Sequence, residues 1–462
     1  MKSKKILLLT SILLGSYGAF AQYEEDAFRF STAESSTSAR LSGMGGQHTA
    51  LGGDISSLYG NPAGLGMYSS SDFSFGLGLM NNSNKANFLG NSNTTGFFNP
   101  NINNVGVVFH SPIAKTGSLT KGLLSMNFGI GYQKTNFFRN QLNYTGETNL
   151  NGLSDYFQTV APGSNNDELV AAAIRGGMIE MDGNGGYFNN TAATSTQYND
   201  IDRKGGQSNF DLTLGMNFSN TFYLGFGIGI ASVNYRSENV LRDETYNDVA
   251  QTDLNSTFVK SYDTRGSGLN FKVGAILKPV NAVRIGVSLE SPTYYNLDDN
   301  YYESLELDDD YGTEFGDNGY PVNYDLTTPL KLNGGVAFIV GSKGLISADV
   351  SYRDYSNIKF SSDAGANTDR NVESLVRSNY KEAINYGLGG EYKITPAVAV
   401  RAGYRFIADA NRALVRDYSI NKFSGGIGYR FGNYYLDGAL SVYDAKSDYA
   451  AYEEPANYPL AE

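Results

Sequence analysis

The chain has 462 residues, a formal net charge of −12 and no cysteine. That acidity argues against nucleic acid as a partner, and the missing thiols exclude a disulfide framework and any thiolate metal site. Gly (54), Tyr (34) and Phe (26) are abundant at a mean hydropathy of −0.32, a bias that suits a large sheet whose two faces meet different solvents.

The first segment is a targeting signal. Lys2, Lys4 and Lys5 precede an apolar run from Ile6 to Leu14, and Ala19-Phe20-Ala21 is a small-x-small cleavage site. Residues 1–21 therefore read as a secretory signal peptide, with a mature start at Gln22 and a mature net charge of −15. No later stretch has the ~18 consecutive apolar residues of a membrane helix.

Residues 22–70 show no alternation and are rich in Ser, Gly, Ala and Thr. They close with LYGNPAGLGMY (58–68), where three glycines and a proline disfavour a helix. Pro62 fixes its own φ and biases Asn61 towards an extended backbone. Gly60 and Gly64 are expected to permit a sharp reversal there. Such a turn would redirect the chain from a compact N-terminal plug into a barrel wall; the plainer alternative is a turn that merely leads into a strand.

From 71 to 445 the organising signal is period-two alternation in segments of about ten residues. In QSNFDLTLGMNF, Phe210, Leu212, Leu214, Met216 and Phe218 share one face, and Asp211, Thr213, Gly215 and Asn217 the other. TFYLGFGIGIA repeats the pattern after Ser219-Asn220. Thirteen candidate strands follow: 71–80, 101–110, 122–137, 207–218, 221–236, 264–278, 282–295, 324–340, 345–360, 381–394, 397–408, 418–431 and 434–445. Tight connections at Ser219-Asn220, Lys278 to Asn281, Gly341 to Gly344, Thr395-Pro396 and Gly432-Asn433 alternate with long polar stretches at 138–206, 236–263, 292–325 and 361–380. Short turns on one side and long loops on the other, after a signal peptide, indicate an all-β transmembrane antiparallel barrel. Closure pairs every backbone group without an edge; a soluble sandwich is the competing architecture. Single-chain bacterial barrels normally have an even strand number. The expectation is therefore that a closing strand is missing, the chain being cut short, and that 446–462 is an acidic tail. A lumen of about fourteen strands is too wide for its own side chains to fill, so residues 22–70 are assigned to it as a hatch.

Catalytic and metal chemistry is weakly represented. His48 and His110 are the only histidines, and no spacing suits zinc or paired haem ligation. A Ser-His-Asp lipase through His110 lacks any nucleophile-elbow motif. The acidic group Asp298, Asp299, Glu303, Asp308, Asp309 and Asp310 lacks EF-hand spacing and reads as a solvated outer loop. GLSDYFQTV and DELVAAAIRGGMI are helix-like; Leu169, Ala173 and Ile174 share a face, with Asp167 or Asn166 as cap. That face is either an exposed landing site for a greasy molecule or is packed on neighbouring loops. Alternation places Lys359 and Arg353 on the lumen side, as candidates for a carboxylate. The alternative is that lumen charges such as Asp349 and Arg401 pair and position the plug. Gly129 and Gly131 could kink the third strand.

The run ending in Gly60-Asn61-Pro62-Ala63-Gly64 resembles the N-terminal hatch of the FadL/TodX family of outer-membrane long-chain fatty-acid and hydrocarbon transporters, which carries an Asn-Pro-Ala element. Ala39-Arg40-Leu41-Ser42-Gly43-Met44-Gly45 and Gly53-Asp54 echo its upstream run. TPLKLNGGVAFIVGSKGLISADVSYRDYSNIKF and EAINYGLGGEYKITPAVAVRAGYRF resemble two of its hairpins, with Tyr355 where a Trp is common. The resemblance implies fourteen strands, a terminal aromatic that is not seen here, and passive uptake of a hydrophobic small molecule. A ligand would be caught by outer loops and released sideways through a hatch-gated gap, with Lys359, Arg353, Leu169 and Ile174 as candidate contacts. It also implies a monomer in a Gram-negative outer membrane, touching lipid and lipopolysaccharide, with no cofactor and no enzymatic activity. A surface adhesin, a general porin and a haem receptor are the alternatives.

Overall fold

The computed structural model describes residues 17–46, 48–113, 120–149, 152–164, 167–412 and 416–450. Most of the expected signal peptide lies outside these residues; 17–21 open the first helix. In chain order come α1 (Tyr17–Ser31), α2 (Ala39–Ser42), two 3-10 helices (Ile55–Leu58 and Pro62–Met67), β1 (Asp72–Phe88), β2 (Asn91–Pro112), β3 (Leu123–Phe137) and β4 (Asn140–Thr148). Then follow α3 (Leu153–Val160), α4 (Glu168–Arg175), β5 (Ile179–Met181), β6 (Tyr187–Asn189), β7 (Thr191–Phe218), β8 (Phe222–Asn247), β9 (Thr252–Val280), β10 (Val283–Glu290), β11 (Tyr294–Asp309) and β12 (Gly312–Thr327). The chain continues through β13 (Lys331–Val340), β14 (Gly344–Asp354), β15 (Lys359–Ser362), α5 (Ala366–Asn379), β16 (Glu382–Lys393), β17 (Val398–Ile407), β18 (Ile420–Phe431) and β19 (Tyr434–Tyr443).

Seventeen of these strands form one antiparallel sheet; β5 and β6 make a separate hairpin. Consecutive strands share a position in the wall in four cases. β3 and β4 both pair with β7, β10 and β11 with β9, β13 and β12 with β10 and β11 in turn, and β14 and β15 with β13 and β12. Seventeen strands thus occupy thirteen wall positions, the number that alternation suggests. The first and last, β1 and β19, rise in the same direction from the same end. An antiparallel ladder cannot join two strands of like direction, and none does among the described residues. A side-chain contact links them: Tyr435 Oη donates to Asp72 Oδ2 at 3.1 Å.

The turns at the hatch end are tight because their residues allow it. Ser219 and Asn220 both have positive φ (58° and 56°), the pair of left-handed positions that a type I′ hairpin requires. Beyond that turn the outward faces are apolar for nine residues per strand: Phe210 to Phe218, Phe222 to Ile230 and Leu269 to Leu277. Phe226, Ile228 and Phe271 are 46%, 43% and 48% exposed. Nine to eleven residues are what a tilted strand needs to cross a bilayer, so this is the lipid-facing band.

The wall does not stop at the top of that band. β7, β8 and β9 run for 28, 26 and 29 residues. Above the bilayer their outward residues turn polar, with Arg236 and Arg265 each 2.9 Å from Asp263. This corrects the expectation of long loops at 138–206, 236–263 and 292–325. Much of that chain is strand, turning over at short hairpins such as 248–251 and 310–311. The acidic group expected in a loop mostly belongs to β11, and Asp299 is buried.

Candidate functional site

The hatch sits inside the wall because its sequence caps itself and the wall leaves room. Asn61 is the N-cap of the 3-10 helix Pro62–Met67. Its Oδ1 accepts from Ala63 N at 3.1 Å, and its Nδ2 donates to Thr49 O at 2.7 Å and to Ala275 O of β9 at 3.4 Å. One amide therefore joins the helix, a hatch loop and the wall, while Pro62 occupies the first helical position, where its missing N–H costs nothing. Gly64 lies inside this helix and not at a reversal; a β-carbon there would collide with Ser57. Neither Gly60 nor Gly64 has positive φ, and the left-handed glycines of the hatch are Gly45, Gly46 and Gly53. The expected sharp reversal at Gly60 and Gly64 is thus replaced by a capped helix that turns the chain.

The wall presents glycine where the hatch backbone comes closest. A β-carbon on Gly225 would collide with Pro62, on Gly274 with Asn61, and on Gly403 with Met44. Gly129 and Gly131, expected as kink points, serve the same purpose. Side chains there would press on Leu65 and Leu58, and on Tyr59.

Polar side chains of the wall hold the hatch around its rim. Arg40 donates to both oxygens of Glu391 (2.8 and 3.0 Å), and Glu391 also accepts from Arg401 at 2.8 Å. Arg401 in turn reaches Asp437 at 2.6 Å. Glu34 faces Arg353 (2.9 Å) and Arg405 (3.3 Å). Asp349 takes the His48 ring at 2.9 Å and Thr49 N at 2.5 Å. Bidentate arginine–carboxylate pairs fix orientation as well as proximity, so these contacts set the rotation of the hatch in the bore.

Above the hatch proper, α1 crosses the lumen. Tyr23, Ala27 and Phe30 pack with Tyr235, Tyr295, Leu297, Tyr324 and Phe360 from the wall and with Val372 and Val376 of α5. Phe28 stacks on Tyr380 at 4.2 Å and 8°. The next layer up is a row of tyrosines in register across three strands: Tyr262, Tyr301 and Tyr320, with centroids 4.6 and 5.6 Å apart. Lys260 and Glu303, 3.9 Å apart, follow. Then comes a second apolar cluster, in which α3 and α4 pack Leu153, Phe157, Leu169 and Val170 against Leu241, Phe258, Leu305 and Leu307. Burial pushes the Asp299 carboxyl, beneath the tyrosine row, up to about 6.

The four side chains singled out as ligand contacts are dispersed. Arg353 does face the lumen, bound to Glu34. Lys359 does not: the 3-10 turn Tyr355–Asn357 breaks the alternation, so Phe360 points inward and Lys359 pairs with Glu373 outside. Leu169 is 3% exposed in the cap and Ile174 is 37% exposed. Asp167 caps α4 by accepting from Leu169 N at 2.9 Å. The packed alternative for this helix is the arrangement adopted. The tyrosine row is not visible in the sequence because its strands lie above the bilayer, where the outward face is polar and the inward face mixes Tyr262 and Tyr301 with Lys260 and Glu303.

This arrangement defines a class: an outer-membrane barrel stoppered by its own amino-terminal hatch. The chain belongs to the outer membrane protein transport protein family (OMPP1/FadL/TodX), whose model matches residues 19–448. That is a family of outer-membrane channels for hydrophobic compounds in Gram-negative bacteria, not of enzymes. In structure the chain is similar to the CymD monoaromatic hydrocarbon channel, at 13% identity over 89% of this chain and 93% of that one, with a TM-score of 0.52. It is also similar to a Pseudomonas aeruginosa FadL homologue, at 14% identity over 90% and 91%, with a TM-score of 0.50. At such identities the likeness speaks for the fold alone. None of the curated protein sequences matches the chain.

Proposed function

We propose that this protein admits hydrophobic small molecules passively, through capture at the outer cap, passage to the aromatic layer around α1, and sideways release when the hatch shifts. The observation that carries this reading is the stacking of two apolar clusters above a hatch held by polar latches. An apolar solute gains by leaving water at each layer, and no energy source is needed for a downhill path. Arg353, considered for a fatty carboxylate, is held by Glu34. Lys260 faces Glu303 and Arg29 faces Asp26. A carboxylate ligand would have to displace an existing partner at each of these three. The chain acts as a monomer surrounded by lipid and lipopolysaccharide.

Native mass spectrometry of the detergent-purified protein tests the cargo: a retained apolar ligand supports the proposal, and protein that never retains one from a panel of hydrocarbons and fatty acids opposes it. Deletion of residues 22–45 tests the stopper. Planar-bilayer conductance to small ions is expected to rise, and an unchanged conductance would favour an adhesin or structural barrel.

A further inference from the structure

At the outer end, the inner face of β7, β8 and β9 brings oxygen-bearing residues together. Gln197 stands opposite Asp243, and Asp243 opposite Ser256. Ser195 lies on the same face of β7, across from Thr245. The start of α3 closes the group from above. Asp243 caps that helix, its Oδ2 accepting from Leu153 N at 2.8 Å and from Gln197 Nε2 at 3.1 Å. Its other oxygen, Oδ1, has no partner at hydrogen-bonding geometry among the described residues, and neither have the hydroxyls of Ser195 and Ser256, although Ser195 stands close enough to the carboxyl to favour its charged form. Asp243 and Ser256 are 2% exposed and Ser195 is 5% exposed. All three line a small cavity, about the size of one water molecule, with Ser154, Thr191 and Thr245. A β-carbon on Gly152 would stand 3.4 Å from Ser195 Oγ and 3.6 Å from Asp243 Oδ2, so these oxygens gather over the one residue that has no side chain.

A buried carboxylate oxygen without a donor is costly unless something positive or protic meets it. No lysine, arginine or histidine lines this cavity among the described residues. The nearby Asp155 accepts from Gly152 N at 2.9 Å and from Asn189, so both its oxygens are engaged. Carboxylate and hydroxyl oxygens are the donor set of a hard cation. Charge selects the valence: one carboxylate is neutralised by a single positive charge, whereas a divalent ion would leave an excess in a buried place. We propose that Asp243, Ser256 and the hydroxyls around them bind a sodium-like monovalent cation that fastens α3, and with it the outer cap, to the wall. Burial raises the Asp243 carboxyl when it stands alone, and a bound cation opposes that rise.

The test uses the full chain in detergent and reads amide hydrogen exchange over residues 152–160. Sodium chloride is compared with N-methylglucamine chloride at equal ionic strength. Exchange is expected to slow by about tenfold in sodium when its concentration is near ten times the dissociation constant. Asp243→Asn keeps an oxygen for Leu153 N and is expected to abolish the difference; Ser256→Ala is expected to shift the half-effect to higher sodium. Equal exchange in the two salts overturns the proposal, as does sodium protection that survives in both variants. Protection by calcium chloride alone overturns the monovalent assignment. Should Asp243→Asn fail to fold, Ser256→Ala decides.

Discussion

The same three strands, β7 to β9, behave differently in their lower and upper halves. Below, Phe226, Ile228 and Phe271 face lipid, and the inner face is Gly, Asp and Asn pressed against the hatch. Above, the outer face carries Arg236, Asp263 and Arg265, and the inner face carries Leu241, Phe258 and Leu254. The polarity of the sheet inverts along its length. Hydrophobic side chains mark the outside of the wall where it meets lipid and the inside where it meets water.

That inversion can be broken first in the upper halves of these strands, the collar above the bilayer. Phe258→Ala removes a 2%-exposed ring from the cap and is expected to cost about 3–5 kcal/mol. The loss should appear as faster hydrogen exchange in α3 and α4, with β7 to β9 unchanged inside the bilayer.

A pH effect comes next. Burial raises the Glu24 carboxyl to about 7, against the hydrogen bonds from Tyr380 and Asn379 that lower it. The folded state therefore holds the proton more tightly than the unfolded one. The stability of the α1–α5 contact is full below the unfolded value and declines as pH rises through 7. Melting curves between pH 4 and 8 should show that decline in the parent chain and a flatter profile in Glu24→Gln.

In the bilayer, Phe226→Arg is expected to cost about 2–4 kcal/mol. Asn255→Arg, on the outward face of the collar, should stay within about 0.5 kcal/mol. Denaturant titrations of refolding into vesicles compare the two; equal costs would mean that the band is placed wrongly. A smaller destabilisation than that of Phe226→Arg is expected from Asn61→Ala, about 0.5–2 kcal/mol for the lost cap. It should be read as increased ion leakage and a lower melting temperature.

The lower half of the molecule is legible in the amino-acid sequence because lipid on one side and a polar lumen on the other impose strict alternation. Phe210 to Phe218 and Phe222 to Ile230 needed no further information, and the tight turn at Ser219-Asn220 followed from them. The upper half is not legible in this way. Lys204, Glu238 and Asp263 look like loop residues, and only pairing reveals that they decorate a sheet. The Asn-Pro-Ala element was visible as a punctuation mark, but its work was not: a capping amide shared by three segments depends on contacts more than 200 residues apart. Lys359 was misplaced because one turn of 3-10 helix shifts the parity of everything after it.

The glycine-lined bore has a mechanical consequence. Where backbone slides past backbone, no interlocking knobs have to be lifted over one another. The friction against a shift of the hatch therefore resides in Arg40–Glu391, Glu34–Arg353 and contacts like them, together with the apolar seats of Leu58, Tyr59 and Leu65 beside Val108. Such a bearing is stiff or loose according to its charges, which makes the ease of opening a property that a handful of substitutions can retune without reshaping the wall.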